Sequence, residues 1–283
     1  MKKPGGANHL FFNGKIITGP NPVFLLFTFL LIIVPVFLFL ERDASKISAK
    51  PFGSFAVFLV MVFSIASLIF LGFAALTEPG IINRQTGDGE FGGDFHTEFI
   101  VDVVNGQSLQ RKWCDTCRLY RPLRARHCRD CDNCVHRFDH HCPWIDNCIG
   151  ARNHRYFILF IASTAILASL VFFSILWVVY LDDVSGTLEG YFEAMFTEGH
   201  RYFVLVVSMG TAVVLSNLTL YHIHLVGRNL TTAEHMKGDF PNGNPFSFGF
   251  KSNCLSFWLT PPSRSELEIE SIELANQIGA FKE

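Results

Sequence analysis

The chain has 283 residues, of which 49% are hydrophobic and only 17% are charged, whereas charged residues make up about 25% of an ordinary soluble domain. The formal net charge is −2. This composition excludes a disordered chain, a collagen-like chain and a highly charged nucleic-acid-binding protein. We therefore expect no nucleic-acid partner.

Four segments contain no Asp, Glu, Lys or Arg: Val23–Leu40, Phe52–Leu76, Tyr156–Leu181 and Tyr202–Val226. Each is long enough for a transmembrane helix, which needs roughly 17–25 mostly apolar residues. Pro35 lies in the first segment. Proline is tolerated in a membrane helix, where it causes a kink, because neighbouring helices satisfy the carbonyl that it leaves free. One such segment could be a buried helix of a soluble protein, but four leave too few residues to cover them. The sequence predicts an α-helical polytopic membrane protein with four transmembrane helices.

Positive charge is unevenly divided among the segments outside these helices. Nineteen of the 23 Lys and Arg residues lie in the two tails and the central loop, which the positive-inside rule places in the cytosol. We expect a cytosolic tail, two spans with a short lumenal loop, a cytosolic cysteine-rich domain, two spans with a lumenal loop, and a cytosolic tail. These regions cover residues 1–22, 23–76, 77–155, 156–226 and 227–283. Within the central loop, residues 83–98 are predicted to be a flexible connector.

Seven of the eight cysteines lie in the 35 residues from Cys114 to Cys148. Cytosolic thiols stay reduced, which favours metal binding or catalysis over a disulfide framework. The spacing is typical of zinc ligands, and zinc stabilises segments that have few core residues. Two Cys3His sites would use six cysteines and leave one free, although the spacing alone leaves their connectivity open. The alternative is a membrane-anchored zinc module that recruits partners without catalysis.

The run from Asp139 to Cys142 contains the three groups of a nucleophilic thiol site. A histidine can accept a cysteine proton, and a carboxylate can fix the tautomer of that histidine. Asp139, His140 and Cys142 supply these groups within four residues. The alternative is that Asp139 only caps a loop and both His140 and His141 bind metal.

Several motifs together resemble the DHHC family of protein S-acyltransferases, the palmitoyltransferases. The segment Trp113–Phe157 contains the Asp-His-His-Cys tetrad, the Pro-Trp pair after it and an Asn-Cys-Ile-Gly motif before the third span. Thr231, Thr232 and Glu234 resemble the TTxE motif. The segment Asn244–Leu259 resembles the family's C-terminal motif, with Asn253 at its characteristic asparagine.

The resemblance implies a role for each matching residue. Cys142 is the nucleophile, His140 its base and Asp139 the residue that orients His140, with support from Thr232. One implied zinc site uses Cys114, Cys117, His127 and Cys134. The other uses Cys128, Cys131, His141 and Cys148.

The implied activity is transfer of a long-chain acyl group from acyl-CoA to cysteine thiols of membrane-associated proteins. Arginines of the loop could bind the CoA phosphates, because the guanidinium group pairs well with phosphate; these are Arg118, Arg121, Arg124 and Arg126. The rival interpretation is attraction to lipid headgroups. A finer resemblance to the Ras palmitoyltransferase subgroup implies Ras-like small GTPase substrates, a small accessory subunit, and a Golgi or endoplasmic reticulum location.

Four further features are interpreted more simply. Asn217, His222 and His224 in the fourth span are read as interhelical or interface residues, with a functional role as the alternative. His136 is an additional histidine inside the cysteine cluster. Cys254 is interpreted as a buried structural thiol, with an acylation site as the alternative. The segment Leu267–Ile278 has helical spacing and is predicted to be an amphipathic end helix or a frayed tail.

Overall fold

The computed structural model describes residues 6–12, 16–50, 52–85, 100–182, 187–196, 198–262 and 264–267. Most of the predicted connector and nearly all of the predicted C-terminal helix lie outside these described residues. The chain forms two compact units. One unit contains the zinc-ligand region together with both terminal segments, over residues 1–25, 73–156 and 222–283. The other contains most of the membrane helices, over residues 26–72 and 157–221.

Within the described residues, four helices are long and apolar enough to cross a membrane, as the uncharged segments predict. They are α1 (Val23–Arg42), α3 (Gly53–Leu76), α4 (His154–Asp182) and α6 (Gly199–Gly227). A short helix α2 (Ala44–Ser48) follows α1, and α5 (Leu188–Phe196) lies between α4 and α6. Pro35 lies inside α1 without ending it. The protein is therefore a multi-pass membrane protein with a cysteine-rich region between its second and third spans.

Polar groups inside the helical unit are paired rather than left unsatisfied. The hydroxyls of Ser67 on α3 and Thr164 on α4 are 2.5 Å apart, and both residues are buried. Asp43, fully buried after α1, accepts hydrogen bonds from Arg201 Nε at 2.9 Å and from His200 Nε2 at 2.8 Å. Removing one partner of a buried ion pair leaves an uncompensated charge, so this cluster fixes the start of α6 against the end of α1.

The zinc-ligand unit is built from short antiparallel strands, listed here in chain order: β1 (His9–Phe11), β2 (Ile16–Thr18), β3 (Ile81–Ile82), β4 (Ile100–Val104), β5 (Gln107–Arg111), β6 (Trp113–Cys114), β7 (Leu119–Tyr120), β8 (Arg126–Cys128), β9 (Asn133–Val135), β10 (His140–Cys142) and β11 (Asn147–Ile149). Four hairpins pair β1 with β2, β4 with β5, β6 with β7, and β10 with β11. A three-stranded sheet has the order β3-β9-β8. A 3-10 turn over Pro143–Ile145 joins β10 to β11.

Tight turns follow the paired cysteines. Arg118 and Asp132, directly after Cys117 and Cys131, have φ angles of 52° and 49°. This left-handed conformation is uncommon for residues other than glycine and reverses the chain within a few residues. Gly150 has a different requirement, because a Cβ atom there would overlap the carbonyl oxygen of Pro79.

Two small hydrophobic clusters form the core of this unit. One contains Ile82, Leu119 and Ala125 around three of the cysteines. The other joins Ile81 and Val135 to two residues from the ends of the chain, Ile17 on β2 and Leu267. Both terminal residues are almost fully buried. The region that looked poor in core residues therefore receives part of its core from the two tails.

Two helices of the C-terminal segment complete the unit: α7 (Thr232–Lys237) and α8 (Phe250–Leu259). Asn253 on α8 is buried and binds the backbone on both sides. Its Nδ2 donates to the Gly227 carbonyl at 2.8 Å, and its Oδ1 accepts from the Phe248 amide at 2.9 Å. This asparagine ties the C-terminal segment to the end of α6. Cys254, the next residue, is half-buried.

Candidate functional site

The first ligand set comes together around His127. Cys114 on β6, Cys117, His127 on β8 and Cys134 on β9 each place one ligand atom within 4.8 Å of the others. His127 Nδ1 lies 3.5 Å from Cys117 Sγ and 3.9 Å from Cys134 Sγ. The β8–β9 hairpin sets this geometry, because His127 and Cys134 are directly opposite in its register. We call this group cluster 1.

The second set comes together around His141. Cys128, Cys131, His141 on β10 and Cys148 on β11 also lie within 4.8 Å of one another. His141 Nδ1 is 3.4 Å from Cys131 Sγ and 3.8 Å from Cys148 Sγ. His141 and Cys148 are opposite each other in the β10–β11 hairpin. We call this group cluster 2.

Both clusters fit tetrahedral zinc. With Zn–S bonds of about 2.3 Å and Zn–N bonds of about 2.0 Å, ligand atoms lie roughly 3.3–3.8 Å apart. The S–N distances of 3.4–3.9 Å and the 3.5 Å between Cys131 and Cys148 Sγ agree with this spacing. Each set has four ligands, three of them cysteine, which is the donor set of a closed structural zinc site. The clusters are interleaved, because cluster 1 takes His127 and Cys134 from the β8–β9 hairpin and cluster 2 takes Cys128.

Cys142 and His140 lie on the same strand as a cluster 2 ligand but belong to neither cluster. Cys142 is buried at the end of β10, opposite Asn147 of β11. His136 also lies outside both clusters, and its Nε2 is 2.8 Å from Glu266 Oε1. The ligand count therefore leaves one buried cysteine and one neighbouring histidine available for chemistry.

Asp139 binds His140 directly. Its Oδ2 lies 2.6 Å from His140 Nδ1, and the carboxylate is almost fully buried. Burial raises the pKa of Asp139, but His154 and the hydrogen bond to His140 lower it by more, so the net pKa is well below the ordinary value. Burial disfavours the imidazolium form of His140, yet Asp139 and Cys142 raise the pKa of His140 to about 9. The carboxylate thus orients His140 and stabilises its imidazolium form.

Helix α7 supplies a second contact to Asp139. The backbone N–H of Thr232 donates to Asp139 Oδ1 at 2.8 Å, and the Ala233 N–H donates to the Asp139 carbonyl at 3.1 Å. The Thr232 hydroxyl makes no hydrogen bond to any residue that the structure describes. The support expected from Thr232 therefore runs through its amide, at a helix N-terminus where backbone donors favour an anion.

The remaining TTxE residues build that helix end. Thr231 is the N-cap of α7, with its hydroxyl accepting from the Glu234 N–H and the Glu234 carboxylate accepting from the Thr231 N–H. This capping box satisfies two backbone donors that the first turn would otherwise leave free. Glu234 also forms a buried ion pair with Arg124, with N–O distances of 2.6 and 2.8 Å. The motif thus fixes the helix that holds Asp139.

The four arginines expected to bind CoA occupy different environments. Arg121, Arg124 and Arg126 line a cavity of about 360 Å3, whereas Arg118 is not among its lining residues. Arg124 is committed to Glu234 and to Asn229, and Arg126 is paired with Asp239. Arg121 donates to the Lys112 carbonyl at 3.3 Å.

The sequence does not predict that two histidines lie beside Asp139. His154 in the first turn of α4 and His222 near the end of α6 are buried, with one nitrogen of each near the Asp139 carboxylate. The interhelical role predicted for His222 is confirmed, because its Nδ1 lies 3.2 Å from His154 Nε2 on α4, whereas the sequence does not single out His154. A histidine in an otherwise apolar span was the available signal. The sequence also assigns no role to Arg137, which donates a hydrogen bond of 2.9 Å to Asn229 Oδ1.

The fold and the site define a multi-pass membrane protein that carries two Cys3His clusters and an Asp-His-Cys group. Comparison with known proteins agrees with this class. The family model for the DHHC palmitoyltransferase matches residues 107–239. The chain is 34% identical to "Protein S-acyltransferase 8" of Arabidopsis thaliana over 253 residues, which cover 82% of this chain and 61% of that relative.

Two further relatives give the same result. "Probable protein S-acyltransferase 6" of Arabidopsis thaliana is 33% identical over 279 residues, covering 92% of this chain and 68% of that protein. Human "Palmitoyltransferase ZDHHC5" is 39% identical over 194 residues, covering 67% of this chain and 26% of that protein. The chain spans about three fifths of the length of "Protein S-acyltransferase 8". The chain belongs to the DHHC palmitoyltransferase family, as its motifs predict.

Proposed function

We propose that this protein is a protein S-acyltransferase that carries a long-chain acyl group, such as palmitoyl, as a thioester on Cys142. The observation that supports this most directly is the arrangement on β10. Cys142 is outside both metal clusters, and His140 on the same strand binds Asp139 at 2.6 Å. A buried thiol beside an oriented histidine is suited to nucleophilic catalysis.

In the first step, the Cys142 thiolate attacks the carbonyl carbon of the acyl-CoA thioester. A new C–S bond forms at Cys142, the C–S bond to CoA breaks, and the CoA thiolate takes the proton held by His140. The pKa of His140, raised to about 9, keeps that proton available at neutral pH. Asp139 fixes the Nδ1–H tautomer of His140, so Nε2 is the nitrogen that exchanges the proton.

In the second step, His140 accepts the proton of a substrate cysteine, and the new thiolate attacks the acyl carbon on Cys142. The Cys142 C–S bond breaks and the enzyme thiolate is restored. This two-step relay predicts ping-pong kinetics. The Asp139–His140 pair donates a proton in the first step and accepts one in the second.

Zinc in the two clusters would be structural. Each cluster has four protein ligands, which leaves no open position for a water molecule or a substrate. Zinc at cluster 2 would hold His141 and Cys148, and through them the hairpin that carries His140 and Cys142. The metal then supplies folding free energy to the reactive strand and takes no part in bond making.

A membrane location suits an acyl-CoA donor, since each buried methylene of the chain is worth about 0.8 kcal/mol. The helical unit contains an apolar cavity of about 580 Å3, lined by residues that include Ala165, Phe173 and Trp177. We propose this cavity for the acyl chain. Of the arginines proposed for the CoA phosphates, Arg121 is favoured, because Arg124 and Arg126 already pair with carboxylates.

The charge distribution supports a cytosolic location for both tails and the zinc-ligand unit, with the five regions arranged as the sequence predicts. The proposed partners are membrane lipid and cysteine-containing membrane-associated proteins. The resemblance to the Ras palmitoyltransferase subgroup supports three finer proposals: Ras-like small GTPase substrates, a small accessory subunit, and a Golgi or endoplasmic reticulum location.

The test is mass spectrometry of purified protein incubated with palmitoyl-CoA. Three forms are compared: wild type, Cys142→Ser, and Cys254→Ser as a matched control cysteine outside the clusters. We expect a hydroxylamine-sensitive palmitoyl adduct on Cys142 in wild type and in Cys254→Ser. We expect none at that position in Cys142→Ser, with about two zinc ions per chain in all three forms.

Two outcomes would contradict the proposal. A wild-type protein that never acquires an adduct, even with candidate accessory subunits, would favour the recruitment module instead. A Cys142→Ser protein that loses zinc would show that Cys142 is a ligand and that the division into six zinc cysteines and one nucleophile is wrong.

A further inference from the structure

Two histidines outside the proposed Asp139–His140–Cys142 group lie directly behind Asp139. His154 Nε2 is 3.2 Å from His222 Nδ1 and 3.8 Å from Asp139 Oδ1. His154 and His222 are 3% and 1% exposed. The Asp139 carboxylate therefore faces His140 through one oxygen, while the other faces the Thr232 amide and this histidine pair.

The hydrogen-bond geometry fixes where the His154 proton lies. His154 Nδ1 is buried and makes no hydrogen bond to any described residue. A protonated Nδ1 would be a buried donor without a partner, which is costly, whereas an unprotonated Nδ1 leaves only a weak acceptor unmet. The proton therefore belongs on Nε2. That N–H donates to His222 Nδ1 and presents its positive end to Asp139 Oδ1.

Aromatic packing keeps both rings in place. The His154 ring packs edge-on against His222, with centroids 5.4 Å apart, and edge-on against Phe257 of α8, with centroids 5.3 Å apart. The His222 ring centroid is 6.1 Å from that of His140. His222 thus touches His154 on one side and lies beside His140 on the other. A change at His222 therefore affects His154, which lies beside Asp139, and His140, which is the proposed base.

We propose that His154 and His222 are positioning residues, which hold the Asp139 carboxylate in the orientation that pairs with His140 Nδ1. This inference rests on the proposed acyltransferase function. The pair acts through Asp139 rather than on the substrate. Its loss should therefore slow acylation of Cys142 without weakening the binding of acyl-CoA.

One other use of these side chains must be separated from positioning. One ligand atom from each of Asp139, His154 and His222 lies within 4.8 Å of the others, a grouping that could also hold a metal ion. A metal there would take the Asp139 oxygen and the nitrogens that the hydrogen-bonded pair uses. Zinc content per chain distinguishes the two uses, because positioning requires no zinc beyond the two clusters.

The test compares His222→Leu with His222→Asn in single-turnover acylation of Cys142 over a range of palmitoyl-CoA concentrations. Asparagine keeps a polar atom near the position of Nδ1, whereas leucine removes it. We expect His222→Leu to lower the limiting rate by roughly 10-fold or more, with the half-saturating concentration unchanged. His222→Asn should recover most of that rate. Both variants should keep the wild-type zinc content.

A second pair covers the possibility that a leucine at position 222 prevents folding. His154→Gln keeps an amide N–H near the position of Nε2, whereas His154→Phe keeps the ring shape without a donor. The glutamine variant should acylate faster than the phenylalanine variant at equal zinc content. This pair separates the donor from the ring, because glutamine keeps the N–H without the ring and phenylalanine keeps the ring without the N–H.

Several outcomes would overturn the inference. Equal rates in His222→Leu and wild type would remove His222 from the site, and the proposed acyltransferase function would stand. Equal losses in leucine and asparagine variants, or a change only in half-saturation, would show a packing role. A third zinc ion in wild type that both His222 variants lose would assign the group to metal. If wild type itself forms no adduct, the proposed function fails first and this inference with it.

Discussion

The two metal clusters have the same ligands but different surroundings. Cluster 2 joins His141 and Cys148 across the hairpin that also carries His140 and Cys142. It lies in a core that includes Ile17 and Leu267 from the two ends of the chain. Cluster 1 lies in a separate core with Ile82, Leu119 and Ala125, away from that hairpin.

This difference assigns different tasks to two chemically equal sites. Cluster 2 fixes the strand that carries His140 and Cys142. Cluster 1 acts indirectly. Arg124, three residues before His127, forms an ion pair with Glu234 on α7, the helix that binds Asp139. A buried ion pair thus connects the cluster 1 region to the Asp139 carboxylate, while a shared strand connects cluster 2 to Cys142, the proposed nucleophile.

The largest effect is expected from removing a cluster 2 ligand. Cys148→Ala should abolish the Cys142 adduct and reduce zinc to about one ion per chain, because structural zinc supplies much of the folding free energy of its segment. Mass spectrometry of the adduct and metal analysis of the same sample would measure both. A variant that lost one zinc yet acylated normally would show that the hairpin holds its geometry without cluster 2.

A smaller effect is expected from the matched change in cluster 1. Cys117→Ala should also lose about one zinc, but should keep measurable acylation per folded molecule, because the β10–β11 hairpin and its own metal remain. Single-turnover rates for the two alanine variants, each normalised to folded protein, provide the comparison. Equal losses would mean that the interleaved β8–β9 hairpin couples the clusters so tightly that they act as one.

The connection between cluster 1 and Asp139 can be broken at Arg124. Arg124→Met leaves the Glu234 carboxylate buried without its partner, which should lower the free energy of unfolding by about 3–5 kcal/mol. Thermal unfolding in detergent would measure the loss. The double variant Arg124→Met with Glu234→Gln, which removes the stranded charge, should recover part of it. If the single variant were as stable as wild type, Arg124 would not be the connection.

The smallest effect concerns the tail that covers cluster 2. The hydrogen bond from His136 lowers the pKa of Glu266. A lowered carboxyl pKa contributes stability that is fully present above the ordinary value of 4.5 and is lost as the pH falls through the lowered value. Glu266→Gln should therefore lower the unfolding temperature slightly near pH 6, and the difference from wild type should shrink below pH 4.5. A difference that stayed constant with pH would rule out ionisation as its cause.

The sequence by itself determined the membrane helices and the residue types of the two metal-ligand clusters. Each uncharged segment had to become a helix, because a bilayer offers the backbone no hydrogen-bond partners. The ends of the helices differ from the predicted spans by at most a few residues; α6, for example, begins early enough to include Arg201. The donor set of three cysteines and one histidine per cluster was readable because few other uses explain so many reduced thiols at short spacing.

The tertiary structure decided which residues far apart in the chain come together, because their spacing along the sequence does not show it. Arg124 and Glu234 are 110 positions apart, and His154 and His222 are 68 apart. Ile17 and Leu267 lie far apart in the chain but belong to one hydrophobic cluster. No local pattern announces such pairs. The same limit explains Thr232, because the motif implies support from this residue but does not show that the contact to Asp139 runs through its backbone amide. Motifs of neighbouring residues can be recognised in the sequence, whereas buried pairs of distant residues depend on which segments the fold brings together.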